Sequence, residues 1–371
     1  MFLGSFAWSF VFVSLPFHIQ RLSTTDPVST LRWTGWILGI SSLVTVATAP
    51  FWGRFAARGD PKTVYVAVEA LQGVGFFGMA LARTLPELFL ARFVLGGMGA
   101  ASTVAYIIVG RTGQGSEVRR RIATLQSGMT VGQVIGPLIG AIAAARFGFR
   151  ASFVVGGAIL LACAAMVHWL VEPPPQAAAA PRPDARPVQP REVGIVALIV
   201  LGASIQVFFF TSILPRVLPD FGIGSAETLE IGGTLIFVSG VAAALGAMAV
   251  PRLADLFAES RLIGVLLVTS SLWLAAFAAA GSVWLYGTLR FLQVLSIAPV
   301  FPLVVARVVQ HAGGGAIGFI NSARIAAGFI GPVLATTLLT WTSPAALYLL
   351  LAAIGLACVP LVRMREAGAR A

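Results

Sequence analysis

The sequence predicts an all-α integral membrane protein of twelve transmembrane helices, arranged as two pseudo-symmetric six-helix bundles. Apolar residues make up 58% of the 371-residue chain and charged residues only 11%, the latter about half the share of a soluble domain. Apolar runs of about 20 residues, long enough to cross ~30 Å of hydrocarbon, recur from end to end. The chain also repeats itself at half its length.

The runs lie at 2–20, 33–51, 63–82, 86–109, 122–145, 151–171, 193–214, 231–250, 262–280, 284–309, 316–340 and 345–362. A soluble fold has no means of covering so many helices that are apolar all round. Two stretches return 198 residues later: Pro50-Phe51-Trp52-Gly53-Arg54-Phe55-Ala56-Ala57 as Ala249-Val250-Pro251-Arg252-Leu253-Ala254-Asp255, and Leu90-Ala91-Arg92-Phe93-Val94 as Thr288-Leu289-Arg290-Phe291-Leu292. Ile135-Gly136-Pro137-Leu138 returns 195 residues on as Ile330-Gly331-Pro332-Val333. A half-chain repeat of this kind implies two bundles about a central site, the plan of many secondary transporters. It points to carrying a molecule rather than to cutting or joining one.

The first run, Phe2 to Ile19, has the length of a signal peptide but no basic region before it. The repeat requires it as a span. Between the sixth and seventh runs, residues 172–192 hold Glu172-Pro173-Pro174-Pro175-Gln176, Pro181, Arg182 and Pro190-Arg191 without helical periodicity. This divides the chain into bundles 1–171 and 193–371 joined by a tether that lets them rock. The even-numbered connections and the C-terminal tail, with Arg307 counted to its adjoining loop, hold 16 of the 25 Lys and Arg, and the opposite loops hold six. That bias places both termini in the cytoplasm. It also accounts for the pI near 11.2 without nucleic acid as a partner. Cys163 and Cys358 are isolated in spans six and twelve, and His18, His168 and His311 are scattered near span ends, so no disulfide, metal or cofactor is expected. Gly73-Val-Gly75-Phe-Phe-Gly78 matches a dinucleotide fingerprint but sits inside an apolar span with no strand before it.

The loop after span two reads Gly53-Arg54-Phe55-Ala56-Ala57-Arg58-Gly59-Asp60-Pro61-Lys62. It resembles the cytoplasmic signature of the major facilitator superfamily, in which such a loop latches two bundles at the inner face. Gly53 and Arg58 are kept, Ala57 stands where the family's Asp is expected, and the second-half copy keeps that Asp as Asp255. In span five, glycines 128, 132, 136 and 140 share one helical face that permits close backbone approach, and Pro137 removes a donor. The stretch Gly132-x-x-x-Gly136-Pro137-x-x-Gly140 is similar to the span-five signature of the family's drug–proton antiporters. The resemblance covers essentially the whole chain and is nearest to the twelve-span drug–proton antiporter-1 group. It implies the major facilitator fold and a proton as coupling ion.

Charges at bilayer depth cost about 2.5–3.5 kcal/mol each on insertion scales and so mark candidate functional positions. Glu69, Arg92, Arg290 and Arg324 stand in spans three, four, ten and eleven. Glu69 is read either as a gate partner or as a proton carrier. Arg92, in Arg92-Phe93-Val94-Leu95-Gly96, resembles the span-four Arg motif that the family links to proton coupling, with Leu95 in place of a common Gln. Arg290 is its repeat mate; Arg324, in Asn321-Ser322-Ala323-Arg324, has Met129 as its counterpart and reads as a ligand contact. For all three arginines the alternative is a structural partner to backbone carbonyls or a side chain that snorkels toward water.

The family's cavity-lining spans one, four, seven and ten carry Trp8, Tyr106, Gln206, Phe209, Phe210 and Gln293, and span five adds Gln126 and Gln133. An apolar cavity with a few polar groups suits a small amphiphile. The four intramembrane charges sum to +2, which favours neutral or anionic substrates over cations. Trp33, Trp52, Trp169, Trp284 and Trp341 read as anchors at the membrane interface. The expectation is a monomeric exporter in a bacterial-type inner membrane, coupled to protons, or alternatively a facilitator or importer of metabolites without protons.

Overall fold

Twelve helices among the described residues are long and apolar enough to cross a membrane. In order they are Phe2–Leu22, Pro27–Ala56, Pro61–Leu81, Leu85–Arg111, Arg120–Phe147, Phe149–Leu170, Pro190–Phe221, Thr228–Val250, Glu259–Ala279, Val283–Val305, Gly318–Leu338 and Pro344–Val362, and are called spans one to twelve. The structure, a computed structural model, describes residues 1–111, 115–173, 190–224, 227–311 and 314–370; at 57, 115–119, 123, 251, 254, 306–311, 314–317 and 363–370 it describes the backbone alone. No strand occurs among the described residues. The expected linker at 172–192 lies outside them over 174–189.

Span starts follow from local chemistry. Asp26, Asp60, Thr84 and Ser282 each cap a helix by accepting a backbone N–H within the first turn, and the first three precede a proline at the first or second helical position. Span two therefore begins at Pro27, earlier than its apolar run suggests. Gly148 and Gly222 turn the chain with φ of 86° and 76°, a region that favours glycine.

The chain resolves into two compact units, Met1–Pro181 with Ser225–Phe237, and Arg182–Gly224 with Val238–Ala371. In the first, span one packs on span five and span three on span six; in the second, span seven packs on span eleven and span nine on span twelve. These are the same pairings moved half a chain on. The glycine stripe explains the first. A Cβ on Gly132 would sit 2.7 Å from the Phe2 carbonyl, one on Gly136 would sit 2.9 Å from that of Phe6, and one on Gly140 would collide with the Phe10 backbone. At the echo, a Cβ on Gly331 would lie 3.1 Å from the Phe209 nitrogen.

Four spans are interrupted. Span one breaks at 13–14, between helices Phe2–Phe12 and Leu15–Leu22; span four at 98–100, between Leu85–Gly97 and Ala101–Arg111. Span seven breaks at Phe209, between Pro190–Phe208 and Phe210–Val217; span ten at 298–299, between Val283–Ile297 and Val300–His311. These are two pairs of repeat mates. The repeat offset changes from 198 at Arg92 and Arg290 to 195 at Tyr106 and Phe301, within the stretch that holds the breaks of spans four and ten.

A break frees backbone carbonyls, and at membrane depth each needs a donor. Ser14 Oγ donates to Val11 O at 3.0 Å, and its repeat mate Ser212 Oγ donates to Phe209 O at 2.6 Å. In span four, Thr45 Oγ1 donates to Gly96 O at 3.0 Å, Trp52 Nε1 to Gly97 O at 2.6 Å, and Gln72 Nε2 to Met98 O. Trp52 is thereby corrected from an interface anchor to an inward cap. Trp169, Trp284 and Trp341 are exposed.

Candidate functional site

Each unit is built around one buried arginine. Arg92 Nε donates to Ile37 O at 3.2 Å and Nη2 to Leu38 O at 3.0 Å, while Ser41 Oγ donates to Arg92 O at 2.6 Å. Its guanidinium lies 5.6 Å from the Trp8 ring and 5.7 Å from that of Phe12. In the second unit, Arg290 Nη1 donates to Gln206 O at 3.2 Å and Nη2 to Val207 O at 3.0 Å, closing the carbonyls freed by the break in span seven. Its Nε donates to Ser239 Oγ at 3.2 Å, and the guanidinium sits 4.2 Å over Phe210 and 5.8 Å from Phe209. Ser41 with Ser239 and Phe12 with Phe210 are mates at the same 198-residue offset as the two arginines. The repeat thus encodes a whole constellation.

The two constellations differ in how they are completed. In the second unit a closed polar network surrounds Arg290. Its Nη1 donates to Gln293 Oε1 at 2.7 Å, Gln293 Nε2 to Ser270 Oγ at 3.1 Å, and Ser270 Oγ to Gln206 Oε1 at 2.9 Å. Gln206 Nε2 then reaches Ser271 Oγ at 3.1 Å and Leu351 O at 3.0 Å. Gln206, Phe209, Phe210, Arg290 and Gln293, assigned from sequence to a cavity, are all buried here with partners inside the unit. In the first unit, Trp8 Nε1 donates to Gln72 Oε1 at 2.7 Å, so that Gln72 ties span one to the break in span four.

One turn before Gln72 on span three lies Glu69, 1% exposed. Its Oε1 accepts from Tyr65 at 2.7 Å, and its Oε2 is buried without a hydrogen-bond partner. The Tyr65 hydroxyl also lies 3.8 Å from Cys163 Sγ. Span one passes over this carboxyl through Gly4, where a Cβ would stand 2.8 Å from Oε1. The repeat mates of Tyr65 and Glu69 are Ile263 and Leu267, both apolar and buried. The tyrosine–carboxyl pair therefore occurs in one half only.

A second pair of mates lies on spans four and five, and ten and eleven. Tyr106 donates to Gln126 Oε1 and lies 4.0 Å from Met129 Sδ. Offset by 195 residues stand Phe301, Asn321 and Arg324, where the Arg324 guanidinium sits 4.6 Å over the Phe301 ring. Gln126, Asn321 and Arg324 are exposed, as is Gln133, which stands apart from this pair.

In the charged loop, Arg58 and, after span eight, Asp255 are exposed, and Gly53 faces Thr103 of span four. The side chain of Ala57 lies outside the described residues. Asp60 caps span three: burial opposes its ionisation, but hydrogen bonds from the Thr63 hydroxyl and from the Lys62 and Thr63 backbones hold it below the ordinary aspartate range. Arg111, which the sequence reading passed over, donates to Gly59 O at 3.3 Å and Ala56 O at 3.5 Å, capping the C-terminal end of the helix that holds span two. Its place as the first charge after the apolar run 86–109 was the available signal. Pro137 is buried inside span five.

A family model described as the Major Facilitator Superfamily matches residues 1–261. The multidrug resistance protein MdtG of Citrobacter koseri is 25% identical over 337 residues, 86% of this chain and 80% of its own. The uncharacterized MFS-type transporter YuxJ of Bacillus subtilis is 24% identical over 332 residues, 86% and 83% respectively. A solved bacterial homolog of the human lysosomal transporter Spinster shares the fold, with a TM-score of 0.71 at 16% identity over 99% of this chain and 93% of that one. A twelve-span, all-helical chain whose first 261 residues match this family and whose relatives are transporters is a multi-pass membrane transporter and not an enzyme: it belongs to the Major Facilitator Superfamily.

Proposed function

We propose that this chain exports small amphiphilic molecules across a bacterial-type inner membrane by alternating access, as a monomer with both termini cytoplasmic, in exchange for protons carried by Glu69. The observation that carries this reading is the buried Glu69 carboxyl, with one oxygen on Tyr65 and the other without a partner, in one half of the repeat only. A group that is half-satisfied in one state of a transporter is suited to gain or lose a proton in another. MdtG, a multidrug resistance protein, supports the export of varied small molecules. Arg92 and Arg290 hold backbone carbonyls within their units, which suits a scaffold role more than a ligand contact.

The test is substrate-driven proton movement in proteoliposomes under an imposed pH gradient, with wild type beside Glu69→Gln. Proton flux triggered by an amphiphile and abolished by the Gln variant supports antiport through Glu69. Amphiphile flux without proton flux sinks the coupling and leaves a facilitator on the same fold.

A further inference from the structure

We propose that the C-terminal end of span two, through Phe51, Arg54, Phe55 and Arg58, seats the head group of an anionic phospholipid. The four residues follow the spacing i, i+3, i+4, i+7, which sets them on one face of the helix Pro27–Arg58. All four are exposed. The Phe51 and Phe55 rings stack, with centroids 6.2 Å apart and planes 10° from parallel. The residues between them fix this face outward. Trp52 Nε1 donates to Gly97 O, Gly53 faces Thr103, and Ala56 is buried.

Depth selects a lipid as the occupant. Span two ends at Ala56, so at 1.5 Å per residue Phe51 lies about 8 Å inside that end and Arg58 about 3 Å beyond it. An interfacial surface holds its aromatic rings at that depth against acyl chains, while its guanidinium groups reach the lipid phosphates. A guanidinium fork matches two oxygens of a phosphodiester.

The two arginines are not spent elsewhere. Arginines near a helix C-terminus commonly hold its last carbonyls, but here Arg111 takes Ala56 O and Gly59 O. Arg54 donates through Nε alone, to Pro50 O at 3.3 Å, and Arg58 has no hydrogen bond or ion pair among the described residues. The nearby carboxylate, Asp60, is committed to the first turn of span three. The repeat supplies an internal comparison. Residues 54–62 carry Arg54, Arg58 and Lys62 against Asp60, a net +2, whereas their mates 252–260 carry Arg252 against Asp255 and Glu259, a net −1. The mates of Phe51, Phe55 and Arg58 are Ala249, Leu253 and Leu256. Rings and charge together occur in the first half only, and they complement an anionic interface there.

The experiment places the full chain in nanodiscs of phosphatidylcholine with a trace of photo-crosslinking lipid. The probe is either phosphatidylglycerol or phosphatidylcholine, each with the same diazirine close to the glycerol, and peptide mass spectrometry reads the label on residues 50–60. The phosphatidylglycerol probe is expected to label this stretch at least tenfold more, since each cation at an anionic interface contributes about fivefold. Arg54→Gln and Arg58→Gln each cut that preference about fivefold, and the double variant abolishes it. Arg252→Gln, at the repeat mate, leaves it unchanged. A wild-type preference below about twofold, or one that survives the double variant, overturns the proposal. If the double variant does not fold, salt decides on the wild type: about 0.5 M salt is expected to shrink the preference at least threefold, and no change overturns the proposal. Soluble glycerol phosphate forms the last arm. If millimolar glycerol phosphate erases the phosphatidylglycerol label, the ligand is a free phosphate ester and the lipid assignment is overturned.

Discussion

The hydroxyl of Tyr65 donates to Glu69 Oε1 at 2.7 Å, one helical turn away on the same span, and it is the hydrogen bond found for the Glu69 carboxyl among the described residues. Tyr65→Phe leaves both oxygens without a donor and retains the ring that packs in the core. A lost hydrogen bond to an ionisable group is worth about 1.5–3 kcal/mol, so amphiphile-driven proton flux is expected to fall by roughly tenfold or more while the protein stays folded. Proteoliposome proton flux beside thermal unfolding separates the two effects. Unchanged flux would detach Tyr65 from coupling.

Arg290 offers a sharper test of scaffold against ligand. Arg290→Met strips the Gln206 and Val207 carbonyls of their charged donor; Gln206 O keeps Gln293 Nε2 at 3.4 Å, and a buried group left unpaired costs about 1–3 kcal/mol. A large drop in unfolding temperature in detergent is the expected result. Arg290→Lys recovers only part, because one ammonium does not reproduce a fork that reaches two carbonyls. If Arg290→Met were as stable as wild type, the capping role would be wrong.

The glycine stripe predicts a graded series. Gly140→Val drives a side chain into the Phe10 backbone, and Gly136→Val one into the span-one backbone, so both are expected to lose folded protein at the membrane. Gly128→Ala meets nothing nearer than the Cβ of Phe2 at 3.7 Å, an ordinary van der Waals contact, and is expected to be tolerated. Yield of monodisperse protein after purification reads the series; equal yields across it would refute close span-one packing.

Outside the membrane, the Asp26 and Asp60 caps carry a pH signature. Hydrogen bonds from Ser29 hold Asp26 below its ordinary value, and those from Thr63 and Lys62 outweigh burial to do the same for Asp60. A lowered folded-state pKa means stability that is present at neutral pH and lost as pH falls from the ordinary aspartate value through the lowered one. Asp60→Ala is expected to cost about 1 kcal/mol at pH 7. The gap from wild type should narrow in strongly acid buffer. A gap independent of pH would show that the carboxylate is not the cap.

Much of this architecture was legible because the repeat is written twice. The offset marked Arg92 with Arg290 and Gly136 with Gly331 before any coordinates, and the small-residue spacing implied a close backbone contact, whose partner, span one, only the structure names. The interruptions were not legible. Gly96-Gly97-Met98-Gly99 reads as a continuation of an apolar run, since hydropathy reports burial and not backbone path. Nor could it show that Trp52, Thr45 and Gln72, from two other spans, would converge on those carbonyls; tertiary contact alone selects such partners. Gln206 and Gln293 looked like cavity groups for the same reason: a polar side chain in an apolar span can serve a ligand or a neighbour, and here Ser270, Ser271 and Arg290 are the neighbours.

In each half, the guanidinium nearest the core is committed to main-chain oxygens, atoms that no substitution can remove. Point mutation therefore has little freedom at Arg92 or Arg290, whatever the cell encounters. One repeat slot already differs between the halves, a methionine at 129 and an arginine at 324. The repeat thus gives the chain one framework twice over, with side-chain chemistry that differs between the copies while the main-chain anchoring stays the same.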